Sequence, residues 1–410
     1  MFKGANEKIE KVGPKRLLSV DGGGMRGLIA IEILARIEEI VREQSGNSKA
    51  VLADYFDYVA GTSTGAIIGT CVALGRSVAE IRNIYLENGR HMFDRGAIWR
   101  RFAKLYPVKT GLLTLSNLIW NAIGGKLPWA RMPYSEYPDT PLIETYRRKD
   151  VIGPDEVTLG SDDLRTLLMV TLLNANTDSP WPVSNNPRAL YNRPDHPYTN
   201  ANIPLWQLVR ASSAAPTIFP AQEIVLGPED KKIRFTFVDG GVTSYNNPAF
   251  QLFLQATLDP YRLCWKTGEE EMLLISVGTG LNPAENVGLR ARDMGFYRQA
   301  TTVATGLFNA SIYQQDLLCR AFGKCEAGDD LDSEVRNLID IKSRPVAQPL
   351  FTYARYNATL TEEGLQNLGL GDIKPADVSG TDETGHMDEL RRIGTEVARR
   401  NVKPDLFARF

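Results

Sequence analysis

The stretch RLLSVDGGGMRG, residues 16–27, decides the fold class. Its first five residues are a short run dominated by Leu17, Leu18 and Val20, which reads as a buried strand. Three successive glycines follow, a composition that allows positive φ and close backbone approach. Beyond them, residues 28–44 place Ile33, Leu34, Ile37, Ile40 and Val41 at helical spacing. Strand, glycine turn and helix together are the opening unit of an α/β fold. The N–H groups of Gly22, Gly23 and Gly24 can converge on an anion, reinforced by the helix N-terminus. Two uses fit: cradling a phosphate, or holding the oxyanion of a tetrahedral acyl intermediate. Gly22, Gly24 and Gly27 also satisfy GxGxxG, but a dinucleotide site wants an acidic residue about 20 positions on, after a second strand. Glu38 and Glu39 lie inside the helix instead, which weighs against that use. Arg26 is a cation in the first turn of a helix, where it opposes the macrodipole. It either orients the loop or faces an anionic group, or it is a surface residue paired with Asp21 or another carboxylate.

Working outward, residues 58–60 end a second strand and run into Gly61-Thr-Ser-Thr-Gly65, after which residues 66–74 read as an apolar helix. Ser77 and Glu80 form a capping-box pattern opening a helix toward Met92. Further strand-like runs are residues 167–173, 233–238, 272–277 and 351–356. The first and third are continuously apolar, as buried parallel strands are. Helical stretches fall at 205–215, 249–258 and 387–401. This alternation predicts an α/β fold with helices on both faces of the sheet. Residues 1–14 read as a mobile N-terminal arm, 15–360 as one domain, and 361–410 as a C-terminal helical extension packed on it.

GTSTG matches GxSxG between an apolar strand and an apolar helix, the setting that gives this motif meaning. Small neighbours let the backbone turn sharply and expose the Ser63 hydroxyl at a helix start. The plainer reading is a helix-capping turn. A serine nucleophile needs a base, and the chain has three histidines, His91, His196 and His386. The order Ser63, Asp239, His386 suits an α/β hydrolase, but all three histidines sit in settings that favour structural or exposed roles. Asp239 has the better position, closing the strand 233–238 and entering Gly240-Gly241. A carboxylate at the carboxyl end of a strand lies where α/β sites assemble, and it can take a proton directly if burial raises its proton affinity. Otherwise it is an ordinary turn residue.

The whole composition sets bounds on these readings. With 410 residues, 43% apolar and 23% charged, the chain can bury a sizeable core. Lys plus Arg is 47 against 49 Asp plus Glu, a net charge of −2, so a general nucleic-acid polymer binder is not expected. Three histidines exclude a His-rich metal site, and neither metal nor cofactor is implied. Four cysteines without a CxxC pair, and a polar start without an apolar h-region, fit a cytoplasmic protein.

LSVDGGGMRG (residues 18–27), GTSTG (61–65), ASSAAPTIFP (211–220), DGGVTSYNNP (239–248) and LISVGTG (274–280), in this order, resemble the patatin-like phospholipases over roughly residues 16–360. The resemblance implies a three-layer α/β/α sandwich around a mostly parallel sheet. It implies a Ser-Asp dyad with Ser63 as nucleophile and Asp239 as general base. It also implies an oxyanion hole from Gly22, Gly23, Gly24 and Met25, supported by Arg26. Family members hydrolyse phospholipid esters without a catalytic metal. Ala66 departs from the glycine many relatives carry, and the loop between Gly241 and Asn246 is one residue longer than usual. Bacterial relatives include cyclic-dinucleotide-activated phospholipases of antiphage defence, so the resemblance extends to a cyclic-nucleotide activator, although no motif here encodes one. The readings to be distinguished are a phospholipase, a non-specific esterase or acyltransferase, and a non-catalytic phosphate or nucleotide binder. A homo-oligomer is compatible with the sequence.

Residues 95–135 carry seven Lys or Arg, no Asp or Glu, and Trp99, Trp120 and Trp129. Basic charge beside Trp suits a lid or transient membrane-docking segment peripheral to anionic headgroups. A buried helical insertion with solvated basic residues is the alternative.

Overall fold

The computed structural model describes residues 1–92, 139–193, 195–216, 218–283, 289–290, 295–382 and 384–410, without side chains for 296–305. The stretch 95–135 lies outside the described residues. Among the described residues, nine strands form one sheet: β1 Lys15–Val20, β2 Tyr58–Thr62, β3 Leu167–Asn174, β4 Ser179–Ser184, β5 Gln222–Leu226, β6 Ile233–Asp239, β7 Met272–Val277, β8 Lys324–Ala327 and β9 Thr352–Tyr356. Neighbours run β5-β6-β3-β2-β1-β7-β9-β8, with β4 also on β3. The stretch from β3 to β8 is parallel, whereas β4, β5 and β6 pair antiparallel.

Side chains of successive strand residues point to opposite faces, and here they enter two separate cores. Leu18, Val59, Val170, Ile275 and Ala354 belong to one. Leu17, Tyr58, Met169, Leu274 and Tyr353 belong to the other. The first is covered by the helices Gly27–Ser45 and Thr64–Ala73, the second by Ala249–Thr257. The molecule is therefore a three-layer α/β/α sandwich with a mostly parallel centre, as the alternating pattern predicts. The Ser77–Glu80 box forms as read: the Ser77 N–H donates to the Glu80 carboxylate at 2.8 Å, and the Glu80 N–H donates to Ser77 Oγ at 3.3 Å.

The N-terminus differs from expectation. Lys3–Glu10 is a helix, and Phe2, Ala5 and Ile9 are buried against the second core. It is pinned by Asp57, a buried carboxylate that pairs with Lys8 at 3.7 Å and Lys11 at 3.0 Å. A polar segment with three well-spaced apolar side chains is enough to dock, which a mean-composition reading overlooks. The helix Phe296–Phe322 and strands β4, β5 and β8 were likewise not expected. At the other end, the helix Met387–Asn401 buries Leu390, Ile393 and Val397 in the first core, beside the helix Gly27–Ser45.

Strand β3 assembles the functional end of the sheet. On one edge it pairs with β4, including Thr171 opposite Pro182 and Leu172 opposite Trp181. The other edge carries two strands in succession. β2 runs parallel as far as Thr62 opposite Thr171. β6 runs antiparallel and reaches Asp239 opposite Leu172. The carboxyl ends of β2 and β6 thus meet head to head at consecutive positions of one strand.

Candidate active site

Ser63 follows β2 directly, and its backbone is strained: φ is 54° and ψ is −120°. A non-glycine residue in such a region costs about 1–3 kcal/mol and persists only where its surroundings impose it. Here the surroundings are close backbone contacts. A Cβ on Gly61 would lie 2.0 Å from the Gly65 oxygen, and one on Gly65 would lie 2.1 Å from the Val20 oxygen. Only glycine fits either position, which is the physical content of the GxSxG spacing. Ser212, in the ASSAAP segment, supports the turn. Its hydroxyl accepts from the Ser63 N–H at 2.9 Å and donates to the Thr171 oxygen at 2.7 Å.

Asp239 is buried, and the Gly241 N–H donates to its Oδ1 at 2.6 Å. Burial pushes its carboxyl up to about 6, against hydrogen bonds from the Ser63 hydroxyl and the Gly241 N–H and the charge of Arg210. A carboxylate with that affinity can accept a proton near neutral pH. Arg210 is itself wholly buried and donates to the Pro220 oxygen at 2.8 Å.

The glycine loop follows β1 and faces the same space. The Gly22 N–H is used, donating to the Asn246 oxygen at 3.1 Å, and the Gly22 oxygen accepts from Thr279 Oγ1 at 2.7 Å. The Arg26 N–H donates to the Gly23 oxygen at 3.2 Å and the Met25 N–H to the Thr381 oxygen at 2.7 Å. Among the described residues, the N–H groups of Gly23 and Gly24 have no backbone partner.

Arg26 is buried, and burial lowers its pKa to about 10, with the charge of Asp21 opposing. The surface pairing of Arg26 with Asp21 is not what forms. Asp21 instead takes a bidentate pair from Arg355 of β9, at 2.9 and 2.5 Å, and Arg355 also donates to Ser276 Oγ at 2.7 Å. Sequence reading assigned no role to Arg355, Ser212 or Thr381, since nothing local marks a partner distant in sequence.

Ser63, Asp239, Gly23 and Gly24 line one cavity of about 200 Å³. Its remaining walls are largely apolar and include Ile67, Leu142, Tyr146, Phe219 and Phe308. That volume is below the roughly 300–1,000 Å³ of sites that engulf a whole ligand, and it suits an ester with part of an apolar chain. None of the three histidines lines it. His386 caps the helix Met387–Asn401 near Glu389, His196 packs against Tyr191, and His91 lies near Glu144. Among the described residues, no group of three or more His, Cys, Asp or Glu could hold a metal ion. A second cavity of about 600 Å³, beside β4, contains neither Ser63 nor Asp239.

Comparison with known proteins gives the same region a lineage. The family model described as patatin-like phospholipase matches residues 18–253. A cGAMP-activated phospholipase of Vibrio cholerae is 29% identical over 237 residues, covering 57% of this chain and 56% of that protein. A cGAMP-activated phospholipase of Escherichia coli is 27% identical over 266 residues, covering 64% and 62%. Patatin-2-Kuras 3 of Solanum tuberosum is 28% identical over 280 residues, covering 65% and 60%. The chain thus aligns with less than two thirds of the length of each of these relatives.

Proposed function

Because the chain belongs to the patatin-like phospholipase family, we propose that it is a serine lipid acyl hydrolase working through a Ser63–Asp239 dyad on membrane phospholipids. The observation that carries this is the meeting of β2 and β6 on β3, which brings a strained, half-buried serine beside a buried carboxylate poised near 6. Asp239 takes the Ser63 proton as the hydroxyl attacks the ester carbonyl. The Gly23 and Gly24 N–H groups, with Met25 and Arg26 completing the loop, stabilise the oxyanion; one such donor is worth about 3–4 kcal/mol. The lysolipid leaves with the proton, and Asp239 then activates water to release the fatty acid from the acyl-enzyme.

Two relatives named as cGAMP-activated phospholipases support a cyclic nucleotide as activator, and a role in antiphage defence belongs to the same proposal. No helix among the described residues is long and apolar enough to cross a membrane. On this proposal lipid is reached by transient surface contact, for which the basic, Trp-bearing stretch 95–135 supplies the composition. The deciding experiment is mass spectrometry of products from mixed phospholipid vesicles, with and without cGAMP. Wild type should release free fatty acid and lysophospholipid, and Ser63→Ala should release neither. Release by Ser63→Ala at the wild-type rate would sink the dyad. Turnover of soluble esters but not vesicle lipid would favour a non-specific esterase.

A further inference from the structure

The Met25 N–H belongs to the loop that would hold the oxyanion, yet it donates to the backbone oxygen of Thr381 at 2.7 Å. Thr381 lies 355 or more residues along from that loop, between the short helix Pro375–Val378 and the helix Met387–Asn401. It also lines the Ser63 cavity beside Gly23 and Gly24. The approach is close on both sides. Gly24 has φ of 59°, and a Cβ built on it would lie 2.0 Å from the Thr381 oxygen. A carbonyl oxygen accepting from this loop occupies a donor that a substrate oxyanion would otherwise use. Its neighbours on both sides are anchored, with Val378 fully buried and Leu390 and Ile393 in the first core. Residues 379–382 are therefore part of a connection that crosses the glycine loop between two anchored elements.

We propose that residues 379–382 are an autoinhibitory strap, holding the glycine loop in a resting state through the Thr381 carbonyl and leaving it when the enzyme turns over. This rests on the hydrolase reading above and names the regulation of that same site. With the strap on, two free N–H groups face the cavity; with it off, the Met25 N–H becomes a third. An activator has in this strap something to release.

The test uses the full chain and a fluorophosphonate ester, whose phosphoryl oxygen needs the same donors when Ser63 displaces fluoride. Three glycines inserted after Gly385 lengthen the span without touching either anchor or the dyad. The lengthened chain should be labelled about a hundredfold or more faster than wild type, since one donor in such a hole is worth about 10²–10³-fold. Equal or slower labelling overturns the strap. No labelling of Ser63 in either chain removes the hydrolase reading and the strap with it, so the two failures are distinct. Hydrogen exchange on the wild-type chain decides the matter if the insertion disturbs folding. Phosphonylated protein should exchange faster than free protein across 379–382, and unchanged protection there also overturns the proposal.

Discussion

At the scale of single residues, Asp239 is placed at a thermodynamic disadvantage. Its pKa rises from 3.8 to about 6, with burial as the largest cause. The folded state therefore holds the proton more tightly than the unfolded chain. Stability is full below about pH 4 and is lost as pH rises through about 6, a cost of about 3 kcal/mol at 1.36 kcal/mol per unit. Asp239→Asn should melt a few degrees above wild type at pH 8, with the gain vanishing near pH 3.5. A variant no more stable than wild type at pH 8 would contradict the burial argument. The proposed base role needs the ionised form, so kcat/KM for a soluble ester should fall tenfold per unit below about pH 6. Asp239→Ala should remove most activity while His386→Ala keeps it; equal losses would instead indicate a triad. Ser63, Asp239 and the glycine loop were legible in the sequence because each is a local signature, a sharp turn or a strand end with its own composition. Arg355 was not, because its role exists only through Asp21, 334 residues away.

At the scale of elements, the Asp21–Arg355 pair ties the loop after β1 to β9 across Ser276 of β7. Burial works against the Arg355 charge, but the Asp21 carboxylate holds its pKa above the ordinary value on balance. Removing one partner strands the other charge, at a cost of about 3–5 kcal/mol. Arg355→Gln should lower the urea midpoint accordingly, and adding Asp21→Asn should restore much of it. Independent, additive losses would show that the two side chains do not act as a pair. Strands β3 and β7 were readable as apolar runs, and the helix Gly27–Ser45 by its spacing. β4, Ser-Pro-Trp-Pro-Val-Ser, was hidden by two prolines that cannot donate to a ladder. β8 has only four residues, and the helix Lys3–Glu10 is polar outside three positions, so neither carries a periodic signal long enough to read.

At the scale of the whole molecule, the proposed substrate lies in a bilayer, and the net charge of −2 gives no general attraction to an anionic surface. Attraction must come from local charge. Reversing Arg100, Arg101 and Lys104 to Glu should weaken sedimentation with anionic vesicles several-fold and leave turnover of a soluble ester unchanged. Unchanged vesicle binding would remove the docking role of that stretch.

Under the proposed dyad, the head-to-head meeting of β2 and β6 on β3 also sets when hydrolysis becomes possible during synthesis. Ser63 leaves the ribosome early and Asp239 much later. The two come together only through a non-local pairing, which is slow to form compared with local structure. An incomplete or partly folded chain carries Ser63 without Asp239. The proposed hydrolytic competence thus arrives with closure of the sheet, and an unfinished chain lacks it.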